Sequence, residues 1–129
     1  MEAGRNDDRY ERGLDAYASQ FRIAREDVAR WFAEHVGERF GEEAIHSAAH
    51  AWDDELSLRD RSLVVIAALI AQGDTEPQLP SHTRWALDHG STREELEALA
   101  TLLAIYVGQP RPVGGLMVIR DELAKLEAR

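Results

Sequence analysis

The 129 residues carry a formal net charge of -9, with 44% apolar and 30% charged residues. That is enough apolar content for a buried core, and too much negative charge for a phosphate backbone or an anionic membrane surface to be a natural partner. No cysteine is present, which excludes disulfides, zinc–thiolate sites and thiol catalysis within this chain.

The first thirty residues are charged throughout and have no apolar stretch of the kind a secretory leader needs. A cytoplasmic protein is therefore expected. Tyr10, Leu14, Tyr17, Ala18 and Phe21 recur at helical spacing and predict a first amphipathic helix. Val28, Trp31, Phe32 and Val36 predict a second, stopped by Gly37. Phe40, Ala44, Ala48, Ala51 and Trp52 predict a third. Ser57 reads as the N-cap of a fourth, with Asp60 in its first turn. From Leu63 to Ala71 this helix is apolar on every side, too short to cross a bilayer and therefore buried all round or set in a subunit interface. It ends near Gly73. A fifth helix runs to Gly90, with Pro80 placed in its first turn because proline does not fit a helix interior. Ser91-Thr-Arg-Glu94 reads as a capping box opening a sixth helix, whose inner face is Leu96, Leu99, Leu103 and Tyr106 and whose end is Gly108 with Pro110. Leu116, Ile119, Leu123 and Leu126 form the stripe of a last helix. No segment alternates long enough for a strand. The prediction is a single all-α domain over residues 1–129, with N-terminal helices over 7–53 and no linker dividing the chain.

His82 shares a helix face with Leu79 and Ala86, which places a group titrating near neutrality inside an apolar stripe. The competing reading is a buried histidine bonded to backbone. Arg59 and Arg61 stand in the first turn of a helix, where cations oppose the dipole; either they and the free N–H groups receive an anion, or Asp60 and the acidic surface neutralise them. Arg84 and Arg111 are further candidates for carboxylate contacts. Tyr106 can donate to a carbonyl oxygen or fill the core, and Trp52 and Trp85 are in the first instance packing residues. His46 and His50 are four apart, a metal-chelating spacing, with Glu42 or Glu43 as a third ligand; without a clear third ligand the expectation is a surface pair and no metal site.

Three segments resemble the carboxymuconolactone decarboxylase family. They are Leu58-Arg-Asp-Arg-Ser-Leu-Val-Val-Ile-Ala-Ala-Leu-Ile-Ala71, Ser81-His-Thr-Arg-Trp-Ala-Leu87 with the turn Gly90-Ser-Thr-Arg-Glu-Glu95, and Ala104-Ile-Tyr-Val-Gly-Gln-Pro110. They are in order and correctly spaced over residues 56–124. Arg9-Tyr-Glu-Arg-Gly-Leu14 and Ala51-Trp52 are similar to the N-terminal part of the true decarboxylases. The tryptophan-x-arginine-proline-glycine stretch that follows in those enzymes is missing, because Asp53-Asp-Glu55 leads straight into Leu56. Val107 stands where the family has a cysteine, and Arg111-Pro112 where it has an alanine pair. The resemblance implies an alkylhydroperoxidase-D-like bundle of six to seven helices, assembled as a homotrimer or homohexamer. It offers two chemistries: peroxide reduction by a cysteine pair, which this chain cannot perform, and cofactor-free decarboxylation of a carboxylated lactone in aromatic-compound catabolism.

For a decarboxylase, His82 is the expected proton donor to carbon and Tyr106 the oxyanion donor, with Arg59, Arg61, Arg84 and Trp52 as substrate-binding candidates for a small acidic substrate. The alternative is a cysteine-less scaffold of the same fold that binds a small acid or catalyses an isomerisation or hydrolysis; the missing stretch favours it.

Overall fold

The computed structural model describes residues 2–52 and 55–128, with side chains from residue 8 onward. Asp53 and Asp54, where the family's stretch is missing, lie outside the described residues. Among the described residues there are seven α-helices and no strand, as the periodicity predicts. They are α1 (Glu2–Phe21), α2 (Val28–Val36), α3 (Glu38–Ser47), α4 (Leu58–Gln72), α5 (Gln78–Asp88), α6 (Arg93–Val107) and α7 (Pro110–Glu127). The chain forms two compact units, residues 1–55 and 56–129. Their boundary falls where the stronger sequence resemblance begins.

In the first unit α3 packs on both α1 and α2. Leu14, Phe21, Val28, Phe32, Ile45, Ala48 and Ala49 are buried there. α1 and α3 approach closely because Gly13 presents no side chain: a Cβ there would sit 1.7 Å from the Ile45 carbonyl oxygen. α1 ends with Arg22 in the left-handed region (φ 57) and the Ile23 N–H donating to the Ala18 carbonyl, a Schellman closure. The expected third stripe is off by about one position. Phe40 is 62% exposed and Ala51 is exposed; Ala48 is buried as the stripe predicts, but its buried neighbours are Gly41, Ile45 and Ala49. The reason is again close approach, since a Cβ on Gly41 would lie 2.6 Å from that of Phe32. Glycine carries no hydrophobicity that a stripe count would register.

In the second unit α4 packs against α5, α6 and α7, and α7 also against α5 and α6. Ile66, Ile70, Leu79, Ala86, Leu96, Ala100, Ile119 and Leu123 form its core. Each fully buried Ile or Leu contributes about 2 kcal/mol of apolar burial. Ser57 caps α4 as predicted, its hydroxyl accepting from the Asp60 N–H at 3.0 Å, and Gly73 closes it with φ 81. The Arg111 guanidinium adds a bond to the Ala71 carbonyl at 2.5 Å, placing a cation where the helix dipole favours one. Arg111 is therefore a helix cap. α5 begins at Gln78, with Pro80 in its first turn.

The capping box of α6 is real but shifted by one residue: Thr92 is the N-cap and Glu95 its partner. Ser91 is already committed. Its N–H donates to the Ala86 carbonyl and closes α5 around Gly90 (φ 103), so the N-cap passes to the next residue.

α4 is not buried all round. Its line Ser62, Ile66 and Ile70 faces the core, whereas Val64 is 59% exposed. Tyr106 does not belong to the inner face of α6: it is 77% exposed, in a row with Leu102 and Ile105. On the other side of the same turns Leu103 still packs against the core formed by Leu96 and Ala100.

Candidate functional site

His82 sits on α5 at the margin of the buried line Leu79, Thr83 and Ala86, each of which is fully inaccessible to water. Thr83 occupies the centre of that line, its hydroxyl donating to the Leu79 carbonyl at 2.8 Å. His82 is half-buried beside it, its ring meeting the Trp85 ring edge-on at 4.9 Å. The apolar flank removes water from the imidazole and penalises its charged form. Burial pushes its pKa down to about 4, and the Asp74 carboxylate in the α4–α5 loop pulls weakly the other way. At neutral pH the free protein therefore holds His82 as a neutral imidazole. It accepts a proton rather than carrying one, which differs from the near-neutral donor expected from spacing.

The arginines divide. Arg59 is engaged by Asp60 at 2.8 Å and by Glu95, so the neutralised reading describes it. Arg61 is only 7% exposed, withdrawn from water at the start of α4. Arg84 donates to Glu122 at 2.9 Å and to the Ser81 hydroxyl at 3.2 Å. It lies two residues, about 200° of helix, from His82 and so leaves α5 on the opposite flank. The two side chains point away from each other, and α5 does not bring them to one small ligand.

Glu122 is the residue sequence reasoning passed over. It is buried on α7 and takes the Arg84 guanidinium. The signal existed: Glu122 lies three residues after Ile119 and four before Leu126, on the apolar stripe, where a carboxylate must find a cation. Asp74 and Trp85, which set the environment of His82, were legible only as a loop residue and a packing residue.

Trp52 follows α3 in the first unit, half-buried in a turn. His46 and His50 both turn toward α1. The His46 ring lies 5.3 Å from that of Tyr10, and His50 Nδ1 is 3.0 Å from the Arg12 guanidinium. Among the described residues no three His, Asp or Glu side chains are grouped to hold a metal, and no helix is long and apolar enough to cross a membrane.

Comparison with known proteins gives two matches. The model of the carboxymuconolactone decarboxylase family matches residues 43–120, from α3 into α7. The match thus starts earlier than residue 56, taking in the second half of α3 and Trp52. A stretch of 65 residues, half of this chain, is 40% identical to a protein of Saccharomyces cerevisiae called "Peroxisomal protein 2". The stretch is 22% of that relative's length, so this chain corresponds to a small part of it.

Proposed function

The chain belongs to the carboxymuconolactone decarboxylase family, and from that premise we propose that it removes carbon dioxide from a small carboxylated lactone of aromatic-compound breakdown, without a cofactor, with His82 delivering the proton. The carrying observation is the setting of His82: a histidine in a family-matched segment, half-buried against Trp85, with the Asp74 carboxylate acting on its charge.

In the reaction the bond between the ring carbon and the carboxylate breaks. Its electron pair passes into the unsaturated lactone, leaving negative charge on the carbonyl oxygen, and carbon dioxide departs. Collapse of this dienolate takes one proton at carbon, supplied by the His82 imidazolium, which regains it from solvent. The depressed pKa fixes how that proton arrives. A substrate carboxylate beside the ring favours the charged form and offsets the cost of burial. Proton uptake by His82 is thus coupled to substrate binding. A desolvated flank also disfavours the charged carboxylate that is lost.

Arg61, withdrawn from water at the start of α4, is one candidate for the substrate's carboxylates. Arg59 is a second, entering by exchanging Glu95 for a substrate group, whereas Arg84, clamped on Glu122 on the other flank of α5, stays outside the His82 site. Tyr106 enters through assembly: when a second copy covers the exposed end of α6, its hydroxyl is desolvated and can serve the oxyanion.

The test is a thermal-shift screen of small carboxylated lactones and dicarboxylates against the wild type and His82→Gln, followed by calorimetry of each hit in two buffers of different ionisation heat. Ligands that bind the native state raise the midpoint. The reading expects a carboxylated lactone to bind with proton uptake near pH 7, and uptake to vanish in His82→Gln. Binding without proton exchange in the wild type would remove His82 as the donor and leave an acid-binding scaffold.

A further inference from the structure

The first unit contains a cleft of about 840 Å³ between α1, α2 and α3, remote in sequence from His82 and mostly outside the family-matched residues. The volume is in the range of small-molecule sites, about 300–1,000 Å³. Its apolar lining is Ala29 and Ala33 of α2, and Gly41 and Ile45 of α3. This lining is firm at Gly41, which is in tight contact with Phe32.

The polar lining is Glu38, Glu42, Arg30, His46 and Tyr10. Glu38 and Glu42 stand one helical turn apart on the same face of α3, which puts their carboxylates within reach of a single cationic group. Neither forms an ion pair with a described residue. Arg30 also lines the cleft, but Asp27 holds it at 2.6 Å and Glu34 lies at 3.9 Å, so its charge is already balanced. Tyr10 closes one end, half-buried with its ring against His46, and an aromatic face attracts a cation. The cavity supplies shape and apolar area, and its walls choose the charge.

We propose that this cleft binds a small organic cation with an apolar body, its ammonium held by Glu38 and Glu42 and its body laid over Ala29, Ala33 and Ile45 against Tyr10. The site is independent of the decarboxylation reading and takes a ligand of opposite charge to that reading's substrate.

The test titrates the full chain, at low salt and neutral pH, with three probes that share one body and differ in charge: benzylamine, benzyl alcohol and benzoate. Calorimetry gives affinity, and amide chemical shifts give location. The proposal expects saturable one-to-one binding of benzylamine with shifts confined to α1–α3. It expects the alcohol to bind at least roughly tenfold more weakly and benzoate not at all. The double variant Glu38→Gln/Glu42→Gln, at exposed positions, should keep its melting midpoint and lose benzylamine affinity by about tenfold or more. Ala33→Leu, which fills the apolar lining and keeps the charge, should lose it as well. Equal affinity for amine and alcohol, benzylamine binding that survives the double substitution, or no saturable binding would each overturn the proposal. So would shifts in the cleft that depend on protein concentration and not on probe, because a second copy would then be the occupant.

Discussion

His82 is held half-buried against Trp85, and that burial sets its protonation state. Spacing puts His82 near Leu79 and Ala86, but the depth of its burial and the reach of Asp74 come from the way α5 seats on its neighbours. The consequence is a stability effect with a definite sign. An unfolded histidine titrates near 6.5, and folded His82 near 4. Between those values the unfolded chain binds the extra proton, so His82 costs stability as pH falls from 6.5 toward 4 and nothing further below. The full effect at the acid end is on the order of 1–3 kcal/mol, once partial exposure is allowed for. Denaturant titrations at pH 7, 5.5 and 4.5 should show wild type losing stability relative to His82→Gln by that amount; parallel curves would mean that the imidazole is better solvated than its setting implies. The arginines show the opposite limit of sequence reading. Arg59, Arg61 and Arg84 are alike as letters, and only tertiary partners separate a neutralised surface pair with Glu95, a withdrawn side chain and a clamp on Glu122.

Seven helices were readable because apolar period, Ser57, Gly37, Gly73 and Gly90 agree with one another. Misreadings occurred where two elements compete for one residue or where glycine does the packing. Ser91 illustrates the first. Alone it is a good N-cap with Glu94 three residues on, yet closing α5 takes its backbone N–H, and Thr92 becomes the cap. The Ser91 hydroxyl is buried without a hydrogen-bond partner. Thr92→Ala should therefore cost about 1 kcal/mol of unfolding free energy, while Ser91→Ala should be neutral or slightly stabilising. Chemical denaturation of the two single variants decides it, and the reverse ranking would restore the earlier register. Gly41 and Gly13 illustrate the second. Both are contact surfaces for a facing helix, a role that a hydrophobic stripe does not mark.

For the whole molecule, the all-round apolar helix pointed to an interface, and the fold relocates part of that signal. Leu102, Ile105, Tyr106, Val113, Met117 and Val64 are each more than half exposed. An isolated soluble chain does not leave so many large apolar side chains in water without a use for them. A homo-oligomer, trimer or hexamer, is the expected state, and light scattering at micromolar concentration should return a multiple of 14.5 kDa; the mass of one chain would refute it. The same whole-chain view excludes one family chemistry. With no sulfur nucleophile among 129 residues, dithiol-coupled reduction of a hydroperoxide should stay at the buffer rate. Val107 at the cysteine position and the absent tryptophan-x-arginine-proline-glycine stretch mark this chain off from both better-known branches, which is why substrate identity was not legible.

The central claim is cofactor-free decarboxylation through His82, and carbon dioxide release from 4-carboxymuconolactone tests it most directly. Purified protein treated with chelator and assayed near pH 7 should release carbon dioxide faster than buffer alone. His82→Gln, folded and within a few degrees of the wild-type midpoint, should be slower by roughly a hundredfold or more. Release by the wild type no faster than buffer, or an undiminished rate in His82→Gln, would contradict the account.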